Sequence, residues 1–172
     1  MEYNNAMQKP RIEKVVLNIG VGSSGEELGR AEKLLQKLTS RKPIRTMSKH
    51  KIPAWNLRKR EPIGCKVTLR GKEADEILKR GLYAKDNRLK PNNFDNEGNV
   101  AFGVQEYIDI KDIKYDPEIG IYGLNFNVTL EKPGYRVKKR RFLKAKIPAK
   151  HKVKREEAID FMKQNFGVEI ED

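Results

Sequence analysis

The feature that most constrains the fold of this chain is an eight-residue stretch in which apolar and polar residues alternate strictly. One set is Ile63, Cys65, Val67 and Leu69, and the other is Gly64, Lys66, Thr68 and Arg70. Because successive side chains of a β-strand point to opposite faces, the pattern predicts a strand with one buried face and one exposed, cationic face. The rest of the chain must therefore cover only one side of a sheet.

Positive charge is concentrated in two segments. Arg41–Arg60 contains eight Lys or Arg residues and Lys132–Arg155 contains twelve, and neither segment has an acidic residue. These twenty charges exceed the net charge of +13 by seven, so the remaining residues carry a net charge of −7. The distribution indicates a polyanionic partner. Nucleic acid is favoured over a membrane surface, because both segments contain proline and neither has the pattern of a basic amphipathic helix.

Composition argues against several classes of protein. No apolar run approaches the length of about 18 residues needed to cross a membrane, and the first residues contain no apolar signal core. The single Cys65 cannot form an internal disulfide, and one Cys with two His residues provides no recognisable zinc site. We therefore expect a cytoplasmic protein with no membrane partner, no metal and no cofactor.

Periodicity predicts an α+β fold with a mostly antiparallel sheet and a basic extension. Besides the alternating stretch, strands are expected at Arg11–Ile19, Val100–Val104, Tyr107–Ile110 and Leu124–Leu130. Helices are expected at about Glu26–Leu38, Glu73–Arg80 and Arg155–Phe166. Ser24 and Glu27 have the spacing of a capping box, and Gly81 and Gly167 are placed to end the last two helices. We expect one domain, residues 1–172, with a basic loop at 49–60 and a basic arm at 132–155.

The main enzyme hypothesis rests on three glycines, Gly20, Gly22 and Gly25, which match G-x-G-x-x-G between a strand and a helix. A dinucleotide site also needs an acidic residue about 20 positions further on, and the chain has none there. His50 and His151 lie among lysines, with no nucleophile or carboxylate at a recognisable spacing. We therefore interpret the three glycines as a tight turn between strand and helix, and we expect a protein that is not an enzyme.

Two segments leave alternatives open. Trp55, in the basic loop, could stack on a base or ribose, or could pack back onto the protein body. The arm could be a solvated, disordered segment. Its apolar residues, which include Tyr135 and Phe142, favour a segment that becomes ordered on RNA.

Several blocks of the chain resemble one known family. The blocks are KPRIEKVVLNIGVG, RKPIRTMSK, PIGCKVTLRG, NNFDNEGNVAFGVQEYIDI and YDPEIGIYGLNFNVTLEKPGYRVKKRR. In this order they resemble the L-five family of large-subunit ribosomal proteins, over almost the whole chain. The basic insertion after Leu130 and the closing helix are similar to the archaeal and eukaryotic branch.

This resemblance implies a sheet of about five strands with helices on one side, and a structural role in the large ribosomal subunit. The implied partners are 5S and 23S-type ribosomal RNA, P-site transfer RNA, other proteins of the central protuberance and a protein of the small-subunit head. A generic α+β RNA- or DNA-binding module is the alternative.

Candidate contact residues fall into three groups. Contacts to ribosomal RNA, carried over by position, are Asn18, Arg41, Lys42, Arg45, Thr46, Lys49, Lys66, Thr68 and Arg70. The loop that the resemblance assigns to transfer RNA matches residues 50–60, with His50, Lys51, Trp55, Asn56, Arg58, Lys59 and Arg60 as candidates; the contact by Trp55 is our own extension. The third group follows from the charge of the arm and comprises Arg136, Lys138, Lys139, Arg140, Arg141, Lys144, Lys146 and Lys150.

Overall fold

A computed structural model of the chain describes residues 5–111 and 113–171. The described residues form the strands β1 (Arg11–Gly20), β2 (Ile44–Met47), β3 (Pro62–Leu69), β4 (Arg88–Leu89), β5 (Val100–Val104), β6 (Leu124–Glu131) and β7 (Glu169–Ile170). The α-helices are α1 (Glu26–Thr39), α2 (Lys72–Tyr83), α3 (Arg136–Lys139) and α4 (Arg155–Phe166). Single turns of 3-10 helix lie at Ala6–Gln8, Pro53–Trp55, Pro91–Asn93, Tyr107–Asp109 and Ala149–His151.

The main sheet is antiparallel and has the strand order β2-β3-β1-β6-β5. The short strands β4 and β7 form a separate parallel pair. The expected α+β class with a five-stranded antiparallel sheet is confirmed. Strand β1 lies at the centre, so the residues of β1 are flanked on one side by β3 and on the other by β6.

The alternation predicted for β6 is confirmed, and that predicted for β3 holds from Cys65 to Leu69, whereas Gly64, which was predicted to be exposed, is buried. Cys65, Val67 and Leu69 are buried, whereas Lys66 and Thr68 are exposed. On β6, the side chains from Leu124 to Leu130 alternate in the same way. The buried set joins one core with the apolar faces of two helices. These are Leu28, Ala31, Leu34, Leu35 and Leu38 of α1, and Ala74, Ile77, Leu78 and Leu82 of α2. Burial of these side chains supplies the main driving force for covering this face.

The helix ends show why local signals can mislead. Gly167 ends α4 in a left-handed conformation, with φ 65°, as predicted. Gly81 does not end α2, which continues to Tyr83. A Cβ at Gly81 would lie 2.5 Å from Cε1 of Phe126. Glycine is therefore needed there because the helix backbone approaches the sheet closely, and the predicted end of this helix was wrong.

Two further local predictions were wrong. Tyr107–Asp109 is a 3-10 turn rather than a strand, and it buries the ring of Tyr107 completely. The N-cap of α1 is Gly25, with φ 123°, and no side chain caps the helix. The predicted capping box is absent because the N-cap is Gly25 and Ser24 lies one residue before it; the Ser24 hydroxyl donates to Glu61 at 2.9 Å. In the described part of the chain, no helix has the length and apolar character required to traverse a lipid bilayer.

Candidate nucleic-acid interface

The sheet face opposite α1 and α2, called the outer face below, carries polar side chains from adjacent strands. Asn18 of β1 pairs with Lys66 of β3 on one side and with Asn125 of β6 on the other. In a second row, Val16 lies between Thr68 and Asn127. Because paired residues in an antiparallel sheet share a face, each row crosses three strands. The register thus brings together residues that are more than 100 positions apart.

The amides form a shallow groove of about 320 Å³. Its lining consists of Asn18, Asn93, Ala101, Phe102, Gly103, Asn125 and Asn127. An amide both donates and accepts hydrogen bonds, so this groove can read uncharged polar groups but cannot neutralise phosphates. Asn125 and Asn127 were predicted to point outward but were not assigned to the site. Their alternation was visible in the sequence, whereas the position of β6 beside β1 was not.

A second groove, of about 410 Å³, lies where β2 meets β3. Its lining consists of Arg41, Lys42, Ile44, Lys66, Val67 and Thr68. Thr46 also lies on this side, above Gly64, where an added Cβ would come within 2.9 Å of the threonine hydroxyl. A Cβ there would also lie 2.7 Å from the Ile19 carbonyl oxygen. The missing side chain at Gly64 therefore allows Thr46 and the neighbouring backbone to pack closely.

Two predicted contacts, Arg41 and Arg45, are paired with helix carboxylates. Arg41 donates two hydrogen bonds of 2.7 Å to Glu73 of α2. Arg45 donates to both oxygens of Glu32 of α1, one of them at 3.0 Å. Hydrogen bonds from these guanidinium groups lower the pKa of Glu73 and of Glu32. Since Arg45 pairs with Cys65 in the β2–β3 ladder, it lies on the helix-covered face and not on the outer face.

Arg70 and the arm meet at Glu13 of β1. Nη1 of Arg70 lies 3.2 Å from the Glu13 carbonyl oxygen and 3.5 Å from its carboxylate. Lys139 lies 2.8 Å from both Glu13 and Glu131. Burial opposes ionisation of Glu13, but hydrogen bonding and charge from Lys139, with help from Lys14 and Arg70, lower its pKa. The network therefore connects the arm to the sheet.

The basic loop is a small hairpin that presents its aromatic residue to solvent. Ile52 and Leu57 form reciprocal backbone hydrogen bonds of 3.0 and 3.1 Å, and Leu57 is buried. The side chain of Trp55 is on the turn between them, and the residue is 71% exposed. The alternative in which Trp55 packs onto the body is not observed. The candidate cations and polar residues of the loop are all exposed: Lys49, His50, Lys51, Asn56, Arg58, Lys59 and Arg60.

The arm is anchored to the body at its base. Lys132 is buried and pairs with Glu157 of α4 at 2.7 Å. His151 Nε2 lies 2.8 Å from the Pro133 carbonyl oxygen, and the backbone N–H of Val153 donates to the Tyr135 hydroxyl at 3.3 Å. Beyond this base, all of the predicted arm contacts are exposed: Arg136, Lys138, Lys139, Arg140, Arg141, Lys144, Lys146 and Lys150. Lys139 differs from the others in the carboxylate pairing described above.

The described residues contain no group of three or more His, Cys, Asp or Glu side chains arranged to hold a metal ion. Cys65 is fully buried, and burial raises the pKa of its thiol to about 11, which makes it unsuitable as a nucleophile. The grooves described above are lined by cations, amides, a threonine hydroxyl and uncharged apolar residues. Their chemistry suits binding rather than covalent catalysis.

Comparison with known proteins agrees with this description. Residues 5–58 match the family model described as "Ribosomal protein L5", and residues 62–161 match the model of the C-terminus of the same ribosomal family. A large ribosomal subunit protein uL5 from Methanosphaera stadtmanae is 52% identical over 167 residues, covering 97% of this chain and 99% of that protein. Proteins of the same name from Sulfurisphaera tokodaii and Methanococcus aeolicus are 52% and 50% identical, covering 96% of this chain and 94% and 93% of their own lengths.

These matches describe ribosomal proteins and not enzymes, which confirms the non-enzymatic interpretation. They extend over nearly the whole chain and include both of the family's models. This chain therefore belongs to the ribosomal protein L5 family.

Proposed function

We propose that this chain is a structural protein of the large subunit of the cytoplasmic ribosome and that it binds 5S ribosomal RNA through the outer face. The row formed by Lys66, Asn18 and Asn125 is the observation that carries the proposal. It combines a cation, which can contact a phosphate, with two amides, which can contact sugar and base edges. The relatives' names support the assignment to the large subunit.

The chemistry of this face fits the geometry of RNA. An A-form helix presents 2′-hydroxyls and base edges in a wide, shallow minor groove, whereas side chains cannot reach into its major groove. Asn18, Asn125 and Asn127 can donate to and accept from these groups. Lys66 and Arg70, placed beside them, are suited to the flanking phosphates.

The predicted contacts do not all contribute in the same way. The side chain of Lys66 forms no hydrogen bond or ion pair with the residues that the structure describes, so its charge is available to a phosphate. Arg41 and Arg45 would have to compete with Glu73 and Glu32 for their guanidinium groups. We therefore assign the main role to Lys66 and Thr68, together with Arg70, whose guanidinium group lies 3.5 Å from the Glu13 carboxylate. Arg41 and Arg45, which are paired more closely with their carboxylates, are assigned a smaller role.

We further propose that the hairpin at residues 49–60 contacts P-site transfer RNA. An aromatic ring at the turn, surrounded by cations, is suited to stacking and phosphate contact. The exposure of Trp55 supports this role, because burial of the ring would have prevented it. The proposal also includes three further partners. They are 23S-type RNA, contacted through the arm, other proteins of the central protuberance, and a protein of the small-subunit head.

The decisive experiment measures selectivity as well as affinity. The parent protein, Lys66→Ala and the double variant Asn18→Ala/Asn125→Ala are titrated with 5S RNA and with an unrelated structured RNA of the same length. We expect the parent to prefer 5S RNA. Lys66→Ala should weaken binding to both RNAs by a similar factor, because phosphate contacts carry no sequence information.

The double amide variant should lose the preference for 5S RNA while retaining its affinity for the unrelated RNA. Equal binding of both RNAs by the parent protein would contradict a 5S-specific function and favour a generic RNA-binding module. The thermal midpoint of each variant is measured in parallel to confirm that the fold is intact.

A further inference from the structure

The tip of the basic arm exposes two large apolar side chains. Phe142 is 73% exposed and Leu143 is 84% exposed, the highest values among the large hydrophobic residues that the structure describes. Both residues lie within a segment whose other members are mainly cations. A solvated basic segment has no need for an aromatic ring, so the tip requires a separate explanation.

The tip has a defined shape. Nε of Arg140 donates to the Leu143 carbonyl oxygen at 2.7 Å, and the backbone N–H of Ala145 donates to the Val137 carbonyl oxygen at 3.3 Å. Leu143 itself has a φ of 49°, in the left-handed region. These features form a closed turn that directs both apolar side chains away from the body.

The turn is held in place by the contacts of the arm with the sheet and with α4. Lys139, three residues before Phe142, is paired with Glu13 and Glu131. At the base, Lys132 is paired with Glu157. A short anchored arm reduces the conformational entropy that the tip would lose on binding, and this favours affinity.

The chemistry around the ring points to a nucleic acid. The guanidinium carbon of Arg141 lies 5.2 Å from the centroid of the Phe142 ring, in cation–π contact. Arg140, Lys144 and Lys146 lie nearby in the sequence, and residues 132–155 contain no acid. We propose that Phe142 is a stacking platform for an unpaired base of ribosomal RNA, while Arg141 and the neighbouring lysines contact the adjacent phosphates.

A protein partner with an apolar groove would bind the tip differently. It would bury Phe142 and Leu143 together, and it would need many carboxylates to offset the surrounding cations. An unpaired nucleotide supplies both a flat π-surface and the negative charge. This inference rests on the proposed RNA-binding function, but it concerns a second site that is separate from the outer face.

The test uses the full chain and two ten-nucleotide probes, oligouridylate and an oligomer of abasic riboses with the same phosphates. For this test the reference protein carries Trp55→Ala, so that the aromatic ring of the basic loop does not contribute to binding. Adding Phe142→Ala should weaken oligouridylate binding by about 5- to 150-fold, the range expected for one lost base–aromatic contact. Binding of the abasic probe should change less than twofold. Phe142→Trp should restore affinity, because indole provides a larger stacking surface.

Leu143→Ala is the matched control, because it removes the neighbouring exposed apolar side chain without changing charge. It should leave the affinity for both probes unchanged. Equal losses for Phe142→Ala and Leu143→Ala, equal losses on both probes, or no loss for Phe142→Ala would each overturn the stacking proposal. All variants should have the thermal midpoint of the parent, because neither side chain is buried.

Parallel titrations of 5S RNA separate this proposal from the proposed function. If Lys66→Ala weakens 5S binding while Phe142→Ala has no effect on oligouridylate, only the stacking site is wrong. If the chain binds neither 5S RNA nor the short probes, both are wrong.

Discussion

Nζ of Lys132 lies 2.7 Å from Oε2 of Glu157, and the lysine is only 3% exposed. The ammonium group also donates to the Lys152 carbonyl oxygen at 3.3 Å. Glu157 in turn accepts from the backbone N–H of Lys154 at 3.0 Å and so caps the start of α4. One carboxylate therefore holds both the first residue of the arm and the helix that follows it.

Removing this carboxylate should destabilise the protein. Glu157→Gln leaves the Lys132 ammonium buried without its counter-charge, and we expect the free energy of unfolding to fall by about 3–5 kcal/mol. Denaturant unfolding measures the change. Adding Lys132→Met should recover part of the loss, since it removes the unpaired charge. Glu156→Gln, on the adjacent exposed residue, is the control and should have little effect. A loss of the same size in the control would contradict this interpretation.

Glu13 should make stability depend on pH. Its side chain is only 10% exposed, and although burial opposes its ionisation, pairing with Lys139 lowers its pKa below the ordinary value of 4.5. The lowered pKa means that the ionised form favours the folded state, so this contribution is present above pH 4.5 and is lost as pH falls through the folded-state pKa. The difference in unfolding free energy between parent and Glu13→Gln should therefore be largest near neutral pH and shrink below pH 4.5.

The control for this measurement is Glu76→Gln, which changes an exposed residue of α2. Any change with pH that the two variants share cannot be assigned to Glu13. A Glu13→Gln difference that stayed constant from neutral to acidic pH would show that Glu13 does not titrate differently in the two states.

Cys65 should react slowly in the folded protein. Its thiol is buried among the core residues, and burial raises its pKa to about 11, so little thiolate is present near neutral pH. A thiol reagent should modify it at least about ten times faster in denaturant than in buffer, because unfolding exposes the thiol and removes the burial that raises its pKa. Equal rates in the two conditions would show that the strand register is wrong, because a shift by one residue would expose the thiol.

Substitutions in the hairpin at residues 49–60 should affect stability and transfer RNA binding separately. Trp55→Ala removes an exposed ring, and we expect it to change the unfolding free energy by less than about 0.5 kcal/mol. Leu57→Ala removes a buried side chain two residues away and should cost about 1–3 kcal/mol. Binding of P-site transfer RNA to reconstituted ribosomes should weaken for Trp55→Ala. A large loss of stability in that variant would contradict the exposed position of the ring.

The salt dependence of RNA binding should distinguish charged from uncharged contacts on β3 and at Arg70, the residue that follows it. Lys66→Ala and Arg70→Ala should each reduce the slope of log affinity against log salt by about 0.7–0.9, the value for one released counterion. Thr68→Val should lower affinity without changing the slope, because the hydroxyl carries no charge. Arg45→Ala should alter the slope less than Lys66→Ala does, since Arg45 is paired with Glu32. Unchanged affinity and slope for the three β3-region variants would exclude this face as the RNA site.

Much of the fold could be predicted because its signals are local. The two-residue alternation of β3 and the helical spacing of Leu28, Ala31, Leu35 and Leu38 both survive in the structure. Where two of the predictions were wrong, the residue concerned contacts a distant partner. Gly81 lies inside α2 against Phe126 rather than after its end, and Ser24 bonds to Glu61 rather than capping α1. Neither partner can be identified from the local pattern.

The sequence by itself indicated the family, through blocks that resemble it. It also determined the α+β class, the burial of Cys65 and the outward position of Lys66 and Thr68, because periodicity and charge are properties of neighbouring residues. Only the tertiary structure decided that Asn125 stands beside Asn18, that Arg45 turns towards Glu32 and that Lys132 is buried against Glu157. These relationships join residues 13 to 107 positions apart in the numbering of the chain. Strand order and helix packing bring such residues together, and short-range patterns do not encode which distant residues will meet.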